Sequence, residues 1–133
     1  MSEAVQVEVT EVRIPFRDID MYGKLHTAAY ISHAEAALGH FWGYRPKLEH
    51  EPLFMVTKIE CRFFRALRLD DLARFTVQID KIGGKSVGFN VLIEAANAVS
   101  AEIEMVWTAT ERETGEPVSL PEEIRDWLYR YLN

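Results

Sequence analysis

Strict alternation of apolar and polar residues in the second half of the chain is the feature that most limits its fold. Apolar side chains occupy every second position in three successive runs, 75–79, 87–93 and 99–107. A period of two turns one face of a segment toward a core and the other toward water, as in half-buried β-strands. The links between the runs, a Gly-Gly pair at 83–84 and residues 96–98, are short. We therefore predict three sequential antiparallel strands joined by tight hairpins.

Two further strands precede these three. Residues 57–63 alternate in the same way, with Thr57 and Ile59 on the apolar face. Near the N-terminus, the apolar residues of 5–9 share one phase and those of 12–16 share the opposite phase. A change of phase exchanges the faces of a strand, so we predict a β-bulge near Thr10 and Glu11.

Two segments have helical periodicity instead. In the Ala-rich stretch 27–42, Ile31, Glu35, Leu38 and Trp42 recur at the spacing of one helix face. Residues 124–131 carry a second apolar stripe, and the preceding Ser119-Leu-Pro-Glu122 resembles a capping box. The order is strand, helix, four strands and a terminal helix, which predicts one α+β domain over residues 1–133. Pairing sheet edges in an oligomer would protect a free edge strand.

Composition narrows the classes of function. The formal net charge of −6 argues against nucleic acid as the main partner, because phosphate binding needs clustered Lys and Arg. Cys61 is the only cysteine, so no disulfide forms within the chain. No signal peptide is visible, and no apolar stretch approaches the ~20 residues that span a bilayer. We expect a cytoplasmic protein without membrane insertion.

The segment that joins the first strand to the long helix concentrates the most reactive side chains. It contains the carboxylates Asp18 and Asp20, one glycine, one histidine and two tyrosines. A helix N-terminus presents unpaired N–H groups that stabilise negative charge. Thr27 is the expected cap of the helix, and a carboxylate beside such amides would supply a base or nucleophile next to an oxyanion site.

This segment resembles the 4-hydroxybenzoyl-CoA thioesterase-like branch of the hotdog superfamily. The residues that carry the resemblance are Phe16-Arg-Asp-Ile-Asp-Met-Tyr-Gly-Lys-Leu-His-Thr-Ala-Ala-Tyr30, supported by 83–86 and 114–121. The resemblance implies a hotdog fold, with a five-stranded antiparallel sheet wrapped around a long central helix and a C-terminal helix added. It also implies hydrolysis of an acyl- or aryl-CoA thioester to free CoA and a carboxylic acid. Its active sites would form between subunits of a dimer or a dimer of dimers.

The resemblance also implies roles for individual residues. Asp20 would be the catalytic nucleophile or general base, with amides near Thr27 and Ala28 polarising the carbonyl. Many relatives have His where Lys24 stands and two Asn where His26 and Thr27 stand, so this chain departs from the family there. The remaining candidates are Tyr22, Gly23 and Tyr30 for substrate binding, and Glu35, His26 and Ser86 as secondary catalytic groups.

Five basic residues are candidates for the phosphates of coenzyme A, because Arg and Lys bind phosphate well. They are Arg62, Arg65, Arg68, Lys81 and Lys85. The four histidines show no zinc-binding spacing, so we expect no metal, and no cofactor beyond the CoA of the substrate. Two alternatives stay open: a non-catalytic module that binds acyl-CoA or acyl-carrier protein, and a hotdog hydratase or dehydratase.

Overall fold

A computed structural model describes residues 6–132 and contains five strands, two helices and one short 3-10 turn at Phe16–Asp18. The elements in chain order are β1 (Gln6–Arg13), α1 (Thr27–Trp42), β2 (Leu53–Phe63), β3 (Leu72–Ile82), β4 (Ser86–Ala95), β5 (Ala98–Thr110) and α2 (Glu122–Tyr129). No helix within residues 6–132 is long and apolar enough to cross a membrane.

All five strands form one antiparallel sheet in the order β1-β3-β4-β5-β2. The three strands of the alternating region are consecutive neighbours and antiparallel, as predicted. They form the centre of the sheet, and β1 and β2 are its two edges. Ala96 and Asn97 turn the β4–β5 hairpin with φ of +52° and +62°, the left-handed pair that a two-residue hairpin loop requires.

The core lies between one face of the sheet and α1. The inward residues of the predicted alternation, including Phe75, Val91 and Ile103, are fully buried. Ala34 and Ala37 are buried on the facing side of α1, where a small side chain lets the helix lie close to the sheet. Helix α2 packs on this core through Ile124, Trp127 and Leu128. The α+β fold class, with its five-stranded antiparallel sheet, packed helix and C-terminal helix, is confirmed.

Three strand details differ from the prediction, and each difference reflects where an extra residue is inserted. The register of β1 shifts between Gln6 and Glu8 and is regular from Glu8 to Arg13, so the bulge predicted near Thr10 is wrong. In a regular strand an odd-numbered residue such as Val9 and an even-numbered one such as Val12 face opposite sides, so the exchange of faces needs no bulge. Residue 5 lies outside the described part. Thr57 in β2 and Ser100 in β5 are the bulge residues at which the register of these strands shifts. The shift at Ser100 leaves Val99 exposed rather than facing the core.

Two helix predictions also need correction. Helix α1 has the predicted bounds, but Glu35 is exposed and does not lie on its buried stripe. That stripe passes through Ala34 and Leu38, and one residue of rotation, about 100°, turns Glu35 away from it. At α2 the N-cap position is Pro121 with no side-chain capping bond, so the capping-box interpretation is wrong.

Candidate active site

The loop between the 3-10 turn and α1 folds back on itself around Asp20. The N–H of Asp20 donates to the carbonyl of Lys24 at 2.8 Å, and the N–H of Gly23 donates to the carbonyl of Asp20 at 3.1 Å. Gly23 has a φ of +78°, in the left-handed region that favours glycine. The predicted substrate-binding residue Gly23 therefore makes the turn that exposes its neighbour Tyr22.

The Asp20 carboxylate is held by the backbone of this turn. Its Oδ1 accepts from the N–H of Tyr22 at 2.8 Å and from the N–H of Lys24 at 3.1 Å. The Lys24 N–H bond lowers the pKa of Asp20 below its ordinary value, helped by Tyr22 N–H and by the charges of His26 and Lys24, while desolvation opposes them. Within residues 6–132, Oδ2 has no hydrogen-bond partner. One oxygen thus orients the group and the other is free.

Helix α1 begins directly after the loop. Its first residue is Thr27 and its N-cap position is His26, whose side chain makes no capping bond. The prediction that Thr27 caps the helix is therefore wrong. Helical geometry leaves the first amides, those of Thr27 and Ala28, without intrahelical acceptors, so they are available to an oxyanion.

Leu67 anchors the loop from the opposite side. The N–H of Leu25 donates to the carbonyl of Leu67 at 2.7 Å, and the N–H of Leu67 donates to the hydroxyl of Tyr30 at 2.9 Å. Tyr30 is buried, and its ring meets Phe63 edge-on at 5.1 Å. The substrate-binding candidate Tyr30 is therefore a packing residue that fixes the loop to the segment after β2.

A cavity of about 690 Å³ adjoins the loop, and Lys24 belongs to both. Arg65 and Arg68 line this cavity beside Lys24, together with Asp70 and Asp71. Two of the five phosphate candidates are therefore brought to the Asp20 side of the molecule. Lys24 is a third cation there, whereas in the sequence it stands out only as a departure from the family pattern.

The other candidates lie elsewhere in the chain. Arg62 contacts Glu102 on β5, at 3.7 Å. Lys81, Lys85 and Ser86 belong to the β3–β4 hairpin end, which the full length of β4, roughly 30 Å, separates from the cavity. Within one chain, Ser86 is therefore not assembled with Asp20. Glu35 is exposed on the third turn of α1.

One contact at the site has no signal in the sequence. His33 Nε2 lies 3.0 Å from Asp18 Oδ2, with both side chains largely buried. The residues are 15 positions apart and belong to different elements, so no periodicity connects them. No cluster of three or more His, Cys, Asp or Glu side chains suited to a metal ion occurs in the part of the chain that the structure describes.

Comparison with known proteins identifies the family. The sequence model of the thioesterase-like superfamily matches residues 14–128, from the residue after β1 to the last turn of α2. The chain belongs to this superfamily. The predicted family and the general class of thioester hydrolase are thereby confirmed, because the match covers the Asp20 loop, α1 and strands β2 to β5.

Individual relatives agree with this assignment. The acyl-CoA thioester hydrolase YbgC of Escherichia coli is 24% identical over 119 residues, covering 85% of this chain and 89% of the relative. A thioesterase from Thermus thermophilus, solved with coenzyme A and Zn, is 25% identical with a TM-score of 0.83, covering 95% and 94% of the two chains. YbaW, a probable thioesterase of Escherichia coli, has a TM-score of 0.84 at 21% identity, over 95% and 99%.

Proposed function

We propose that this protein hydrolyses acyl-CoA thioesters, with Asp20 as its catalytic carboxylate. The observation that carries the proposal is the position of Asp20: its Oδ1 is fixed by two backbone amides, and α1 starts seven residues later, at Thr27. Membership of the thioesterase-like superfamily and the similarity to the acyl-CoA thioester hydrolase YbgC support an acyl-CoA substrate.

The proposed chemistry divides between the carboxylate and the helix amides. Asp20 either accepts a proton from a water that attacks the thioester carbonyl, or attacks the carbonyl itself to give an acyl-enzyme that water then cleaves. In both routes the carbonyl oxygen gains negative charge, which the Thr27 and Ala28 amides would stabilise. The C–S bond breaks, CoA leaves as the thiol after protonation, and the acyl group leaves as a carboxylic acid. We propose no cofactor for these steps.

The pKa shift of Asp20 favours this role. The Lys24 N–H bond lowers the pKa of the carboxyl, so the group is ionised at neutral pH. An ionised carboxylate is required both for proton abstraction and for direct attack.

The cations beside the loop are the proposed contacts for the CoA phosphates. Lys24, Arg65 and Arg68 line the cavity next to the Asp20 loop, where they outnumber Asp70 and Asp71, in a chain whose net charge is −6. Clustered cations in an acidic protein are suited to a small anionic ligand, because Arg and Lys form charge-assisted bonds to phosphate oxygens. The Thermus thermophilus relative was solved as a complex with coenzyme A, which supports this use of the site.

We further propose a homo-oligomer, at least a dimer, that pairs the β2 edges. Strand β2 has one neighbour, β5, and its apolar residues Val56, Ile59 and Phe63 are 39–49% exposed. Antiparallel pairing of two β2 edges would set the Phe63 end of one chain beside the Leu53 end of the other. Because Ser86 lies near that second end, paired with Thr108 of β5, the partner's hairpin would reach the Asp20 side.

Two other functions remain as alternatives. A non-catalytic module would bind acyl-CoA or an acyl-carrier protein through the same cavity, and it is favoured only by the departures from the family pattern at Lys24 and His26. A hydratase or dehydratase has weaker support, since no histidine is hydrogen-bonded to Asp20 in the described chain. The cytoplasm stays the proposed location, in keeping with the single thiol of Cys61.

The test is thiol release from a panel of aryl-, short-chain and long-chain acyl-CoAs by wild type and Asp20→Asn. An asparagine Oδ1 can still accept the Tyr22 and Lys24 N–H bonds, so this variant keeps the turn and removes only the charge. We expect turnover of at least one substrate and a loss of about 100-fold or more in the variant.

Asp126→Asn is the matched control, because Asp126 is an exposed aspartate on α2. It should keep wild-type turnover. Full activity in Asp20→Asn would remove Asp20 from the mechanism. Binding of acyl-CoA without any thiol release would favour the non-catalytic module.

A further inference from the structure

The partly buried contact between Asp18 and His33 joins the loop that carries Asp20 to the body of α1. His33 stands in the second turn of the helix, and its Nε2 lies 3.0 Å from Asp18 Oδ2. The two side chains are only 19% and 22% exposed. The His33 ring also packs on Phe75 of β3 at 5.8 Å, so the helix side of this contact rests on the sheet.

Asp18 holds both ends of the Asp20 loop. Its N–H donates to the carbonyl of Pro15 at 3.1 Å, at the start of the 3-10 turn. Its carbonyl accepts from the N–H of His26 at 2.8 Å, immediately before α1. A single residue therefore fixes the point where the loop leaves the turn and the point where it enters the helix. In the described part of the chain, the only other ion-pair contact of Asp18 is Arg17 at 4.0 Å, and Arg17 is 85% exposed.

We infer that His33 is a positioning residue for Asp20, acting through Asp18. This inference rests on the proposed function. His33 does not touch Asp20; its hydrogen bond is to Asp18, two residues earlier in the loop. Without the His33 bond, Asp18 loses its side-chain contact with the helix, and the loop that carries Asp20 gains freedom. Misplacement of a reacting group by about 1 Å can cost up to about 100-fold in rate.

His33→Phe and His33→Gln separate the hydrogen bond from the packing. Phenylalanine keeps an aromatic ring against Phe75 and removes the donor, whereas glutamine can place an amide N–H near the position of Nε2. For His33→Phe we expect kcat to fall about 10-fold with KM changed less than about 2-fold, and for His33→Gln kcat within about 3-fold of wild type. The control is Ser32→Ala, an exposed neighbour on α1. A bond that served stability alone would leave kcat of the folded variants unchanged.

Hydrogen exchange of residues 18–26 gives a second measurement that needs no substrate. The amides of Tyr22 and Lys24 are bonded to Asp20 Oδ1, so loosening the loop should speed their exchange. We expect faster exchange in His33→Phe than in wild type and Ser32→Ala, with His33→Gln restoring protection.

The two measurements have distinct meanings. Unchanged kcat, or unchanged exchange of residues 18–26, in His33→Phe overturns the positioning role. If wild type hydrolyses no thioester in the panel, the proposed function fails instead, and the exchange rates alone then decide whether His33 holds the loop.

Discussion

At the scale of single residues, the two oxygens of the Asp20 carboxylate have different surroundings. Oδ1 accepts two backbone N–H bonds, and such bonds to a charged acceptor favour the ionised form. The turn is therefore part of the proposed chemistry, because the bonds that shape the loop also keep the group deprotonated.

This arrangement predicts how activity responds to acid. The pKa of Asp20 is lowered from 3.8, so the ionised, active form persists as pH falls until the pH reaches that depressed value. By the same sign, its contribution to folding stability is present above pH 3.8 and is lost as pH falls through the depressed pKa. We expect the Asp20-controlled acid limb of kcat/KM to lie below pH 3.8. Steady-state rates across pH, with circular dichroism to exclude unfolding, check this; a limb near pH ~6.5, typical of a histidine, would assign control to another group.

The residue scale also shows what the sequence could and could not predict at the site. The position of Asp20 in the loop and the start of α1 at Thr27 were predictable, because a short motif places both in one continuous segment. The Asp18–His33 contact was not, because the fold of the loop decides which helix turn faces Asp18. Glu35 was misplaced because Ala dominates α1, so alanines, not its larger side chains, define much of the buried stripe.

At the scale of elements, the strands were more predictable than their bulges. Alternation reports which face of a strand is buried, and it located all five strands. The alternation does not reveal a bulge residue such as Ser100. Ser100 is a polar residue that is buried with its hydroxyl bonded to the Arg65 carbonyl, a contact that only the folded chain makes. The order of the strands in the sheet likewise depends on the tertiary structure. Strand β2 follows α1 in the chain but pairs with β5 at the edge of the sheet.

Two negatively charged side chains lie opposite each other where β2 pairs with β5. Glu60 and Glu104 are direct cross-strand partners, and hydrogen bonding to Glu60 together with desolvation and charge repulsion raises the pKa of Glu104. A raised carboxyl pKa means that stability falls as pH rises from 4.5 through the folded-state value. We expect Glu104→Gln to raise the free energy of unfolding at neutral pH by ~0.5 kcal/mol, measured by urea denaturation.

Glu102→Gln is the control for that measurement. It lies on the same strand, but it faces Arg62 rather than a carboxylate. Removal of its charge should be neutral or slightly destabilising. Equal effects of the two substitutions would mean that the overall charge of −6, rather than the Glu60–Glu104 pair, governs stability.

At the scale of the whole molecule, the candidate site residues lie at opposite ends of a single chain. Asp20 and the cavity with Arg65 and Arg68 lie at one end of the sheet, while the hairpin with Lys85 and Ser86 lies at the other. Antiparallel pairing of two β2 edges would bring these ends together and cover apolar side chains that one chain exposes. Along that edge Lys58 and Glu60 alternate in charge, so two copies can match opposite charges in an antiparallel register.

Ile59→Lys tests whether assembly and activity depend on that edge. Ile59 is 43% exposed on β2, and a lysine there would place two like charges near the axis between copies. We expect sedimentation equilibrium to change from at least twice the 15.3 kDa chain mass toward the monomer, with self-association weakened about 30-fold or more. Thiol release should fall with it, although Asp20 is untouched. Val9→Lys, at a similarly exposed valine on β1, the opposite edge of the sheet, should change neither property. A wild-type chain that is monomeric and fully active would mean that the helix amides and cavity of one chain suffice for hydrolysis.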